Sequence, residues 1–160
     1  MQRNMPDIAD TAPALQTGKL DWVGMADIEL PFLFESRDLA PINVNAKARA
    51  FVNLHKEDAK GIHMSRLFLA LDTLSTAQHV NPQTIAQALD SFISSHTGLS
   101  DQAKIEFKFE LPLRRKSLLS GKAGWKSYPL TIVAKIDRGV LSFELSLDVT
   151  YSSTCPCSAA

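Results

Sequence analysis

Two cysteines, Cys155 and Cys157, flank Pro156 near the end of a 160-residue sequence that holds no others. A thiolate is a soft, strong ligand for zinc and similar metals, and it is also a nucleophile. A bare Cys-x-Cys does not complete a metal site, because structural zinc takes four ligands, so the remaining ligands must come from elsewhere. The bland alternative is a pair of small buried apolar residues, a common fate of free cysteine. A disulfide between them would close a small strained ring that Pro156 stiffens further. The sequence stops three residues after Cys157, before any partner appears. The expectation is therefore the front part of a longer enzyme, cut just past its first catalytic ligand.

A second group of candidates lies in Lys60, Gly61, Ile62, His63, Met64, Ser65 and Arg66. His63 and Arg66 are three apart and share one side of a helix that starts here. A helix N-terminus with Lys60, His63 and Arg66 beside it suits an anion such as phosphate. The ordinary alternative is a solvated helix surface, where Lys and Arg usually stay. A third group, Arg114, Arg115, Lys116, Lys122 and Lys126, reads as a basic loop rich in Gly and Ser. It suits a polyphosphate, or else simple exposure to water. His55, His79 and His96 stand isolated and receive no role. The sequence has no P-loop, no G-x-G-x-x-G and no zinc-protease helix motif.

The elements that must position these residues follow from the hydrophobic period. Residues 1–19 are polar, with Pro6, Pro13 and Gly18, and read as a flexible arm. Residues 20–34 carry Trp22, Val23, Ile28, Leu30, Phe32 and Phe34, with Pro31 marking an edge strand or a bulge. Residues 35–41 read as a turn. Residues 42–55 alternate with period two, Phe51 excepted, and give a long half-buried strand. The period then changes: Met64, Leu67, Phe68, Leu71 and Leu74 form one face of a helix. A second helix starts at Asn81 and Pro82, a favoured N-cap followed by a favoured first residue. Its apolar face is Ile85, Ala88, Leu89, Phe92 and Ile93, and Gly98 is its expected C-terminal cap. Strands resume at Lys104, with Pro112 ending regular pairing. Leu130, Ile132, Ala134 and Ile136 face inward in the next strand, Asp137, Arg138 and Gly139 make a tight turn, and alternation runs again from Leu141 to Tyr151. The order strand, strand, helix, helix, strand, strand, strand implies an α+β fold, an antiparallel sheet with two helices on one face.

Composition bounds the function. The chain is 45% hydrophobic and 21% charged, with 17 Lys plus Arg against 17 Asp plus Glu. That is one globular domain with no global field to recruit nucleic acid or an anionic membrane. No apolar run approaches transmembrane length, and the N-terminus lacks the apolar core of a secretory signal. Two cysteines in Cys-x-Cys form without such a signal are expected to be reduced thiols in the cytoplasm.

Two segments together, residues 60–66 and 153–158, resemble the type IB GTP cyclohydrolases. That family carries a KG-T-HMSR-like segment opening its first helix and a CPCS segment at the end of the strand that closes its first half. Val23, Gly24 and Met25, followed by Ile28, Glu29, Leu30 and Pro31, are similar to the family's N-terminal strand. The resemblance covers residues 20–160. It implies a tunnelling fold (T-fold), whose unit is two strands, two helices and two strands, so that 20–160 is the first T-fold module and the second is absent. It also implies a homotetramer with active sites at subunit interfaces. The implied reaction converts GTP and water to 7,8-dihydroneopterin triphosphate and formate, the entry to tetrahydrofolate synthesis. By position, Cys155 matches the family's metal-binding, catalytically important cysteine, with zinc, manganese or iron as the divalent metal; Cys157 inherits no role. The family's other metal ligands, His and Glu, and the glutamate that holds the guanine ring belong to its second half, so the 160-residue chain alone is expected to be inactive. From charge rather than from the resemblance, Lys60, His63, Arg66, Arg114 and Arg115 are the candidates for the triphosphate. The alternatives are another tunnelling-fold enzyme, such as the NADPH-dependent nitrile reductase of queuosine synthesis with cysteine as covalent nucleophile, or an inactive fragment that acts only in assembly.

Overall fold

The computed structural model describes residues 18–37, 39–57, 59–76, 79–153, 155 and 157. Of the expected N-terminal arm, residues 1–17 lie outside the described residues. The seven elements are β1 (Leu20–Ser36), β2 (Leu39–Leu54), α1 (Met64–Thr76), α2 (Pro82–Ser95), β3 (Gln102–Lys116), β4 (Ala123–Asp137) and β5 (Val140–Leu147). The strands form one antiparallel sheet in sequence order, β1-β2-β3-β4-β5. Both helices pack against the sheet, which is the expected α+β architecture.

Strict alternation builds the core. Val44, Ala46, Ala48, Ala50 and Val52 of β2 are buried, and so are Ala103, Ile105, Phe107 and Phe109 of β3. Directly opposite them stand Ile136, Ala134, Ile132 and Leu130 of β4, also buried. The alanines of β2 leave room for larger groups, and Phe32, Phe107 and Phe109 meet edge to face above them. The helices close this layer with Leu67, Leu71 and Leu74 of α1 and Ile85, Ala88, Leu89 and Phe92 of α2. Asn81 caps α2 by accepting from the Gln83 and Thr84 amides, and the Thr84 hydroxyl returns the favour to the Asn81 amide, a reciprocal capping box.

Phe51, the exception to the alternation of β2, lies on the opposite face of the sheet. There Lys104 Nζ stands 5.1 Å from its ring centre and 4.5 Å from that of Trp22. Cation–π attraction thus keeps two aromatic rings on a polar surface. Gly24 pairs with Phe51 across β1 and β2. A Cβ on Gly24 would fall 1.9 Å from the Ala50 carbonyl oxygen, whereas one on Gly18 meets nothing within 4 Å. Gly24→Ala is expected to cost about 1–3 kcal/mol, the range of an overpacked site. Thermal melts of Gly24→Ala beside Gly18→Ala check this, with only the first lowering Tm.

Several boundaries differ from expectation. Pro112 does not end pairing, and 114–126 is not a loop: the β3–β4 ladder runs on through Pro112↔Ser127 to Lys116↔Ala123. The reason is that β2 pairs with β3 only as far as Lys108. Beyond it β3 is locally an edge strand, where a missing N–H is tolerated. Of the two readings of Pro31, edge strand and bulge, the first holds: β1 is an edge of the sheet and Pro31 pairs in register with Asn45, while the register shifts fall between Leu20 and Val23, Met25 and Ile28, and Phe34 and Ser36, with Asp27 at φ 55°. Met64 and Phe68 were expected in the core, yet they are 39% and 46% exposed, because the buried stripe of α1 runs through Leu67, Leu71 and Leu74 instead. The C-cap of α2 is His96 rather than Gly98, although Gly98 does take positive φ just after it. The turn between β4 and β5 is as expected, with Arg138 and Gly139 both at positive φ. The final alternating strand ends at Leu147, short of Tyr151.

Candidate active site

The anion-side candidates come together where α1 begins and α2 ends. Lys60 is exposed, and His63 and Arg66 are half-buried. His63 precedes the first residue of α1. Its carbonyl accepts the Arg66 amide (3.0 Å), starting the first turn, and its own amide donates to His96 Nε2 (3.1 Å). The Arg66 guanidinium crosses to α2 and donates to the Ser95 carbonyl. A guanidinium has five N–H donors, so this bond does not exhaust Arg66. It does give Arg66 a structural duty that sequence reasoning did not foresee.

His96 is the residue that sequence reasoning missed. It is 1% exposed. Its Nδ1 lies 2.8 Å from the Phe92 carbonyl, which fixes Nδ1 as the protonated nitrogen and leaves Nε2 to accept from His63. Burial above all holds its pKa below the ordinary histidine value, and the positive charge of Arg66 and the nearby His63 act in the same direction. Nothing in the sequence links positions 63 and 96; only the packing of α1 beside α2 does so.

Arg114 and Arg115 stand at the far end of β3, both exposed. Where β2 and β3 diverge, a groove of about 590 Å³ opens. It is lined by residues 39–43 of β2 together with Leu113, Arg114, Arg115 and the indole of Trp125. Trp125 is opposite Arg114 in the ladder. The structure thus places the two basic groups of candidates at separate locations, one at the helix ends and one on the hairpin of β3 and β4.

Cys155 and Cys157 follow β5 and are both free and exposed, so neither is the buried packing residue of the bland reading. Thr154, Pro156 and Ser158 lie outside the described residues. The backbone N–H of Cys157, and secondarily its thiol, hydrogen-bond to Cys155 and lower its pKa. These bonds favour the thiolate form of Cys155. Among the described residues no group of three or more His, Cys, Asp or Glu side chains is placed to hold a metal ion. By its chemistry, an exposed, stabilised thiolate is suited to serve as one ligand of a divalent metal.

A family model described as type I GTP cyclohydrolase folE2 matches residues 5–160. The chain belongs to this family. A GTP cyclohydrolase FolE2 from Pseudoalteromonas translucida is 80% identical over 156 residues, which cover 98% of this chain and 52% of that protein. FolE2 proteins from Hydrogenovibrio crunogenus (46% over 156 residues) and Pseudomonas putida (48% over 159 residues) cover 98% and 99% of this chain and 50% of their own lengths. The chain spans about half the length of the curated relatives it matches. Among the described residues no helix is long and apolar enough to cross a membrane.

Proposed function

We propose that this chain forms the first T-fold module, residues 20–160, of a cytoplasmic type IB GTP cyclohydrolase. The enzyme hydrolyses GTP to 7,8-dihydroneopterin triphosphate and formate for tetrahydrofolate synthesis. The observation that carries this reading is the match of residues 5–160 to the FolE2 family model, which also favours the cyclohydrolase over a tunnelling-fold nitrile reductase. Cys155 is the ligand this chain gives to a divalent metal, zinc, manganese or iron; when bound, such a metal supplies a Lewis acid and a water acidic enough to act near neutral pH. This chain's own residues then bind and orient. Lys60, His63, Arg66, Arg114 and Arg115 are the cationic and hydrogen-bonding groups available to the triphosphate.

The exposed face of β5 supports contact with a further polypeptide surface, which a homotetramer would supply. Leu141, Phe143, Leu145 and Leu147 stand opposite the buried β4 residues Ile136, Ala134, Ile132 and Leu130, yet they are 41–64% exposed. A contiguous apolar strip on the core face of an edge strand is the kind of surface that another polypeptide covers.

The test uses the full-length protein. Lys60→Ala and Arg115→Ala alter exposed side chains and are each expected to raise the KM for GTP by about tenfold, the loss of one charge-assisted contact. Arg66→Ala is expected to raise KM as well, with some loss of stability because its bond to Ser95 goes too. Unchanged KM in all three variants would remove these residues from the triphosphate site.

A further inference from the structure

We propose that His96 is a positioning residue: its imidazole, clamped between the last turn of α2 and the His63 amide, sets how the start of α1 presents His63 and Arg66 to an anionic substrate. The proposal rests on the reading of that helix start as part of the triphosphate site.

The geometry is specific. His96 is buried at the C-terminus of α2, where the last carbonyls of a helix lack intrahelical donors. Its Nδ1–H satisfies the Phe92 carbonyl, and the Ser95 hydroxyl stands 3.1 Å from the same nitrogen. The opposite ring nitrogen accepts the His63 amide, a donor that has no place in the helix ladder because it precedes α1. Arg66, one turn on, caps the adjacent Ser95 carbonyl. The two residues that would meet the anion are thus fixed to the end of α2 by two bonds, one through His96 and one to its neighbour.

The bridge works only with a neutral ring. A second proton on His96 would sit on Nε2 and face the His63 N–H, donor against donor. The groups turned toward His96 from α1 and its lead-in are His63, with ring centres 6.2 Å apart, and Arg66; its own helix presents Ser95 and the Phe92 carbonyl. His63 and Arg66 both oppose protonation of His96. The sign of the pH effect follows. Above the ordinary histidine pKa of about 6.5 the ring is neutral in folded and unfolded chains alike, and the bridge is intact. As pH falls below that value the unfolded chain takes up a proton that the native site resists, so stability declines progressively down to the lowered native pKa. There the bridge opens, and the substrate-binding turn loosens with it.

The experiment compares His96→Leu and His96→Gln in the full-length protein, reading amide exchange at His63 and the KM and kcat for GTP from pH 5.5 to 8. Leucine fills the space without an acceptor; glutamine offers a carbonyl to the His63 amide and does not titrate. His96→Leu is expected to speed exchange at His63 by tenfold or more and to raise KM severalfold with little change in kcat. His96→Gln is expected to keep the wild-type KM at pH 8 and to lack the part of its rise at acid pH that belongs to the wild type. Unaltered exchange at His63 in His96→Leu would overturn the bridge. Faster exchange with unaltered KM would keep the bridge and overturn its role toward the anion, whereas the triphosphate reading of this turn is decided separately by the KM of Lys60→Ala and Arg66→Ala. If His96→Leu does not fold, His96→Gln decides alone: a KM–pH profile superimposable on that of the wild type overturns the proposal.

Discussion

Cys155→Ser in the full-length enzyme is expected to lose bound metal and to lower kcat/KM by at least a hundredfold, while Cys157→Ser loses less than about tenfold. The first magnitude is set by comparison: replacing even the outer-shell partners of a metal ligand costs roughly 10–100-fold in affinity or activity, and a direct ligand costs more. The asymmetry comes from the hydrogen bonds at the pair. The larger part of the lowering of the Cys155 pKa comes from the backbone N–H of Cys157, and the smaller part from its side chain. Serine at 157 keeps the N–H and so keeps most of the support for the thiolate. Serine at 155 replaces a soft thiolate by a hydroxyl that stays protonated and binds metal poorly. Metal content by elemental analysis, measured beside activity, checks both variants. Equal losses in the two would mean that the cysteines act as a pair rather than as a ligand and its supporter.

The largest effect on stability is expected at Phe107. Its ring is 1% exposed on a strand paired on both sides, opposite Ala48 of β2 and Ile132 of β4. It meets Phe32 edge to face at 5.3 Å. Small residues on β2 cannot expand into the space it would vacate, so Phe107→Ala leaves a cavity and is expected to cost about 3–5 kcal/mol. That is a large share of a net stability of about 5–15 kcal/mol, and it should lower Tm by roughly 6–20 °C. Leu145→Ala, on the exposed face of β5, is the control. In the 160-residue chain it should cost less than about 1 kcal/mol, because little contact is lost. Denaturant unfolding of the two variants separates them; similar losses would mean that β5 is already covered in the chain by itself.

How much of this was legible beforehand depended on the range of the interaction. The alternation of β2, the capped start of α2 and the turn at Arg138 and Gly139 are local patterns, and each appears where the sequence places it. Pro112 misled because its tolerance depends on where β2 stops pairing with β3, and that is set by strands more than 50 residues apart. Met64 and Phe68 fit the helical period but lie outside the buried stripe of α1, and period alone does not say how wide a stripe the sheet will cover. The apolar residues of β5 alternate as well as any in the chain and lie on the core face, yet they stay uncovered, because the two helices pack on β1–β4 and stop short of it. At the candidate site, Cys155 stood out by residue type and Lys60, His63 and Arg66 by charge at a helix start. His96 did not stand out, since a buried histidine takes its meaning from the partner that folding brings to it.

Metal-dependent cyclohydrolase activity is open to a single assay. Full-length protein is freed of metal with a chelator, incubated with GTP with and without an added divalent metal, and the mixture is oxidised and read for neopterin fluorescence beside released formate. The metal-free protein is expected to give no product, added metal to restore it, and formate to equal neopterin in amount. Intact GTP under every metal, or undiminished product from the metal-free protein, would contradict metal-dependent cyclohydrolase activity.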